Sequence, residues 1–199
     1  NVSSDVLNGF SQVEDGLSRT GRTLTARNRS LLAQLEEFNE KNPEKGKPWL
    51  DKANEVRRTT DELFDYIDSL KLEIVTKADG DGADVHNIVN KDNLDASSMV
   101  MLDARGGKGE KLRLRMDQYR QYITSFISDD TKRANIEGAL STAVVKTAAD
   151  GEGNNKKWEE IMFENMPTIA AVTLLSKLQN DVRYAEGAVL NQIIDNGDL

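Results

Sequence analysis

The chain has no cysteine, which excludes a disulfide framework, a thiol nucleophile and a cysteine-ligated zinc site. Histidine occurs once, at His86. A zinc site made of histidines is therefore impossible, the H-E-x-x-H signature is absent, and a Ser-His-Asp triad would have to form around that single ring. The surrounding stretch has no strand-turn-helix nucleophile elbow, so His86 is read as an ordinary loop histidine. No stretch reaches the roughly 18 consecutive apolar residues of a membrane span, and no charged-then-apolar leader opens the chain.

What is present leans helical. Only 38% of residues are apolar and 6% aromatic, while 30% are charged, a mixture that suits long amphipathic helices with one wet face better than a compact enzyme core. Acidic residues outnumber basic ones, 34 to 26, for a formal net charge of −8. Nucleic acid and anionic bilayer surfaces are repelled on average by such a charge, so no nucleic-acid partner is expected. A chain of 199 residues can bury one sizeable core, and a single helical domain over 1–199 is the expectation. It opens at Asn1 rather than Met, with apolar periodicity at once at Val2, Val6 and Leu7, which suggests a fragment cut away from a natural start.

The apolar spacing predicts a first helix. Phe10, Val13 and Leu17, then Leu24, then Leu31, Leu35 and Phe38 alternate steps of four and three wherever the seam is filled, over roughly 35 to 40 residues, or on the order of 55 Å. Gly9, Gly16 and Gly21 each weaken it by about 1 kcal/mol relative to Ala. The seam fades where Thr20, Arg27 and Asn28 stand, so this half needs a partner. Asn42 to Pro48, with two prolines and Gly46, reads as a breaker. Trp49, Ala53, Val56, Thr60, Leu63, Ile67, Leu70 and Ile74 then mark a second helix of about 26 residues, forming an αα-hairpin with the first.

Ala78 to Ser97 reads as loop with a short helical turn, and Met99 to Ala104 as helical. Arg105 to Gly109 breaks the chain before a stripe at Leu112, Met116, Tyr119, Ile123 and Phe126. Asp129 or Asp130 caps a further helix carrying Ala134, Ile136 and Leu140, and Asp150 to Asn155 reads as a polar turn. The last helix, about 30 residues long with Pro167 in its first turn, shows one apolar face at Ile169, Val172, Leu175, Leu178, Val182, Ala185, Val189 and Ile193. The fold class is all-α: a helical bundle of long antiparallel helices, about four main ones plus short ones.

Tests for chemistry return nothing. Ala78 to Asp84 has the alternating Asp residues of a calcium loop, but Ala83 takes the third ligand position, Asp84 the turn glycine's place and Asn90 that of the closing Glu. Asp150 to Asn154 fails likewise. Gly106 to Lys111 lacks the Gly-Lys-Ser/Thr ending of a phosphate cradle. The pairs Glu36-Glu37 and Glu159-Glu160 are adjacent, so each pair points to different sides of a helix. Arg57-Arg58 and Lys111 to Arg115 are read as exposed faces paired with local carboxylates. No catalytic, cofactor-binding or metal residue is assigned, no cofactor is expected, and the chain is not expected to be an enzyme or to take a small-molecule substrate.

Thr173-Leu174-Leu175-Ser176-Lys177-Leu178-Gln179-Asn180-Asp181-Val182-Arg183, followed by Ala185-Glu186, resembles a signature of the GldM/PorM family of Bacteroidetes gliding motility and type IX secretion. Asn1 to Phe10 resembles the segment that follows that family's single membrane helix. The two matches lie at opposite ends of the chain. The resemblance implies an inner-membrane protein with one transmembrane helix and a long periplasmic part, of which this chain is the first, helical domain, ahead of β-rich domains. It further implies a GldL/PorL-type partner at the membrane helix, forming a proton-driven motor, a GldK/GldN (PorK/PorN)-type ring contacted through distal domains, and a homodimer in the full-length protein. On this reading the domain is periplasmic, anchored to the inner membrane in the intact protein, and passes force or conformational change outward. The alternative is a periplasmic helical bundle that senses a ligand and signals through a membrane helix; it requires a concave pocket between helices.

Overall fold

The computed structural model describes residues 4–79, 99–100, 108–146, 153–158 and 166–197. It is an all-α helical bundle carrying two small antiparallel ribbons. Helix α1 (Ser4–Lys41) and helix α2 (Pro43–Asp79) form the expected hairpin. After β1 (Met99–Val100) come α3 (Lys108–Thr124) and α4 (Asp130–Ser141). The strands β2 (Thr142–Lys146), β3 (Gly153–Lys157) and β4 (Met166–Pro167) lead into α5 (Thr168–Asn196).

The expected breaker between α1 and α2 is a single residue. Asn42 donates its amide to Phe38 O at 2.8 Å and accepts from Gly46 N at 2.8 Å, so it ends one helix and starts the next. Pro43 takes a first-turn position, where a missing N–H costs nothing. Pro48 lies inside α2 but near its start, where it removes one ladder bond, to the carbonyl of the exposed Glu44. Gly46 is buried against α1: a Cβ there would stand 2.5 Å from Asn39 Cα. Glycine at this point lets the two backbones meet at the hairpin tip.

Two other expectations give way to strands. Met99–Val100 pairs with Met166–Pro167 rather than opening a helix, and Gly153 to Asn155 belongs to a ladder in which Thr142 faces Lys157 and Lys146 faces Gly153. Pro167 consequently sits just before α5, at the end of β4. Asp129 is the cap of α4, its Oδ1 accepting from Lys132 N at 2.8 Å. Most of the expected loop from Ala78 to Ser97, together with His86, lies outside the described residues.

The core is one continuous cluster. Val56, Leu63, Ile67 and Ile74 of α2, Leu112, Met116 and Ile123 of α3, and Ile136 and Leu140 of α4 meet Leu175, Leu178, Val182 and Val189 of α5. Helix α5 is the centre: from Ala170 to Ser176 every residue is buried, as expected of a helix enclosed on all sides. Contacts fix the directions. Lys71 and Asp68 of α2 meet Gln179, while Phe64, nearer the start of α2, meets Arg183, so α2 and α5 run antiparallel. Leu17 of α1 meets Asn180 and Asn28 meets Arg183, so α1 and α5 run in the same direction.

Candidate functional site: a polar seam between the first and last helices

Alongside its apolar stripe, α5 carries a second stripe at helical spacing: Thr173, Ser176, Gln179, Asn180, Arg183 and Glu186. Thr173, Ser176, Gln179 and Asn180 are buried. Buried polar groups need partners, because leaving one unpaired costs about 1–3 kcal/mol. Gln179, Asn180 and Arg183 find theirs on α1 and α2, which converts this part of the stripe into a seam, while the buried Thr173 hydroxyl has no hydrogen-bond partner among the described residues.

Between α1 and α5 the bonds are reciprocal. Asn180 Nδ2 of α5 donates to Leu17 O of α1 at 2.8 Å, and Asn28 Nδ2 of α1 donates to Arg183 O of α5 at 2.9 Å. Each asparagine thus bonds to the other helix's backbone, so the contact depends on axial register rather than on side-chain volume. The Arg27 guanidinium adds a contact to Tyr184 O at 3.4 Å and lies 5.8 Å from the Tyr184 ring centre. Two glycines allow this closeness. A Cβ at Gly21 would stand 2.8 Å from Arg183 Nη1, and one at Gly187 would collide with Arg27 and Asn28. The weak, glycine-bearing half of α1 is held by the polar side of α5.

Between α2 and α5 the bonds gather around Gln179. Buried Lys71 donates to Gln179 Oε1 at 3.1 Å, and Gln179 Nε2 donates to Asp68 Oδ1 at 2.9 Å. The Arg183 guanidinium carbon lies 4.2 Å from the centre of the Phe64 ring, and burial pulls the Arg183 pKa down. On the N-terminal side of Arg183, Lys177 pairs with Asp181 at 2.9 Å. Burial nevertheless outweighs the lysine's attraction and lifts the Asp181 carboxyl to about 6.

Glu186 stands where α5 faces α1 and α2. Thr60 of α2 and Asn28 of α1 stand beside its carboxylate and favour its ionised form, and Thr60 Oγ1 lies 2.9 Å from the Tyr119 hydroxyl of α3. Thr60 and Tyr119 share one hydrogen bond in which either hydroxyl can donate. Burial foremost, then the nearby negative charge of Asp61, raises the Glu186 carboxyl to about 7. Tyr119 is driven far above the ordinary tyrosine range by burial. Beside Glu186, α1, α2 and α5 leave a cleft of about 440 Å³.

Of the residues considered in the sequence for chemistry, Glu36 and Arg57 line the cleft. Glu36 lines the cleft mouth, while its neighbour Glu37 pairs with Lys41 at 2.9 Å on the exposed face. Arg57 reaches Asp61 at 3.9 Å and Arg113 pairs with Glu110, the local pairing expected of the basic clusters, and Arg115 lies over Tyr66 at 4.2 Å. Gly153 and Asn154 lie in β3, and Lys108 to Lys111 form the first turn of α3. Most of the calcium-like loop, Gly106-Gly107 and Glu159-Glu160 lie outside the described residues. Among the described residues no group of three or more His, Cys, Asp or Glu side chains could hold a metal ion, and no helix is long and apolar enough to cross a membrane.

The polar stripe is masked in the sequence by the apolar one beside it. The signal was present: Gln179, Asn180, Arg183 and Glu186 repeat at steps of three and four inside the very segment that carries the family resemblance. The fading of the α1 stripe at Asn28 was its other half. The family model of the GldM N-terminal domain matches residues 5–196, so its span runs from the start of α1 to the end of α5 and takes in the whole seam. No curated protein matches the chain. The chain belongs to the GldM family, of which it is the N-terminal domain.

Proposed function

We propose that this domain is a non-enzymatic, force-transmitting strut of the type IX secretion and gliding motility motor. In this reading it lies in the periplasm and links an inner-membrane, proton-driven GldL/PorL-type partner to a GldK/GldN (PorK/PorN)-type ring, through segments before and after it in a dimeric full-length protein. The observation that carries the reading is the reciprocal asparagine bonding between α1 and α5. Two helices running the same way, each fixed to the other's backbone, cannot slide along their axes without breaking those bonds. An axial load entering at α1 therefore leaves through α5. Apolar contacts alone resist separation more than sliding, because a slipped apolar stripe finds new apolar neighbours.

The test is the intact parent carrying Asn28→Val together with Asn180→Val, expressed with its membrane partner. Normal abundance and membrane association with lost secretion and gliding is the expected result. Full secretion at normal abundance would contradict the strut. The cleft beside Glu186 supports a second reading, a ligand-sensing bundle, since such a reading requires a concave space between helices. It predicts a small molecule that raises the melting temperature by binding only the folded state.

A further inference from the structure

The cleft offers more than space. Its volume of about 440 Å³ lies in the range of small-molecule sites, roughly 300–1,000 Å³. Leu32, Phe64 and Leu190 give it an apolar wall, and Asn28, Thr60 and Glu186 a polar one. The charges around it are unevenly committed. Arg183 lies over Phe64 and is bonded to Asn180 Oδ1 at 2.8 Å, and Arg57 is drawn to Asp61 at 3.9 Å. Glu186, by contrast, is attracted only from beyond ion-pair distance, by Arg57 and Arg183, with the like charge of Asp61 nearby. It makes no ion pair among the described residues. A half-buried carboxylate costs several kcal/mol unless a cation compensates it, and the open side of the cleft is where one can arrive.

We propose that this cleft binds a small organic cation, an ammonium or guanidinium head on a short apolar stem. The head sits against Glu186 and Asp61, and the stem lies along Leu32, Phe64 and Leu190. Arg29 and Glu36 of α1 stand at the mouth, where they meet the far end of the ligand. The ionisable groups facing Glu186 are those of α1 just named, Arg57 and Asp61 of α2, Arg183 of α5, and Tyr119 of α3 through Thr60. The inference rests on the reading of the cleft as a ligand site and adds the chemistry of the occupant.

The test uses 1,5-diaminopentane and, as a probe of the same chain length and opposite charge, glutarate, at matched ionic strength. The diamine is expected to raise the melting temperature saturably at pH 8. Its affinity should fall about tenfold between pH 8 and pH 6, because the carboxyl near 7 must be ionised to receive it. Glu186→Gln should weaken binding at least tenfold and Asp61→Asn, at an exposed position, about threefold. If Glu186→Gln does not fold, the carboxyl ¹³C titration of Glu186 in the unaltered chain decides, since the diamine must move it to lower pH. Diamine binding that ignores both pH and Glu186 overturns the proposal. Glutarate binding in its place keeps the cleft as a ligand site and overturns the cation, whereas binding of neither probe overturns both.

Discussion

Helix α5 has two sides that hold the molecule together by different means. On one side it presents Leu175, Leu178, Val182 and Val189, which share one core with Ile67, Met116, Ile123 and Leu140 of α2, α3 and α4 and with Leu31, Leu32 and Leu35 near the end of α1. Toward α1 and the near edge of α2 it presents Gln179, Asn180, Arg183, Glu186 and Gly187. The apolar side supplies stability, about 1.5–3 kcal/mol for each large side chain removed from water. The polar side adds little net free energy, since a typical hydrogen bond contributes only about 0.5–1.5 kcal/mol. It contributes register, because an asparagine bonded to one particular carbonyl is satisfied at one axial position alone. One side keeps the bundle folded and the other fixes where α1 stands along it.

That division can be broken most severely on the apolar side. Ile67→Ala or Leu175→Ala, both at fully buried positions, should cost about 3–4 kcal/mol in urea unfolding while leaving the α1–α5 register unchanged in whatever remains folded. Gly187→Ala should cost about 1–3 kcal/mol, because its methyl displaces Arg27 and Asn28. Unlike the core variants, it should also shift α1 along α5, as read by spin-label distances. A methyl accommodated with neither effect would remove the close approach from the account.

Protonation sharpens the comparison further. The folded state holds Glu186 near 7 and Asp181 near 6, above the ordinary carboxyl values of about 4 in the unfolded chain. Between those limits the folded chain binds more protons than the unfolded one, so the contribution of these two groups to stability is full below about pH 4 and falls as pH rises, levelling off above about pH 8. At about 1.4 kcal/mol per pH unit the two shifts together correspond to a loss of up to about 6 kcal/mol. Thermal melts should show a lower Tm at pH 8 than at pH 5, and Glu186→Gln should flatten the profile by raising the pH 8 end. A Tm that climbs over the same interval would contradict the burial of these carboxyls. The smallest effect belongs to glycines outside the seam. Gly16→Ala and Gly138→Ala, each with open space where the methyl would go, should stabilise the chain by up to about 1 kcal/mol.

The apolar side was legible in the sequence because its rule is periodic. Steps of three and four located α1, α2 and α5 and named most of their buried residues, from Leu31 and Ile67 to Val189. Where structure depends on a pairing between distant segments, local reading failed. Met99–Val100 becomes a strand only because Met166–Pro167 lies beside it. The β2–β3 ribbon had a local clue in the β-branched run Thr142 to Thr147 ahead of Asp150-Gly151, a hairpin pattern overshadowed by the expectation of helices. The breaker at 42–48 was over-read because proline near a helix start is tolerated as proline in its middle is not. The seam escaped for a similar reason: a polar residue on a helix reads as solvent-facing unless its partner is known, and the partner of Asn28 lies 155 residues away.

The central claim is that the asparagine seam, and not the apolar core, resists sliding of α1 along α5. Single-molecule pulling with handles near Ser4 and Asn196 loads those two helices in shear. The unaltered domain should rupture in one cooperative step, and Asn28→Val with Asn180→Val should lower the rupture force markedly while shifting the Tm by only a few degrees. An unchanged rupture force in that double variant would contradict the account.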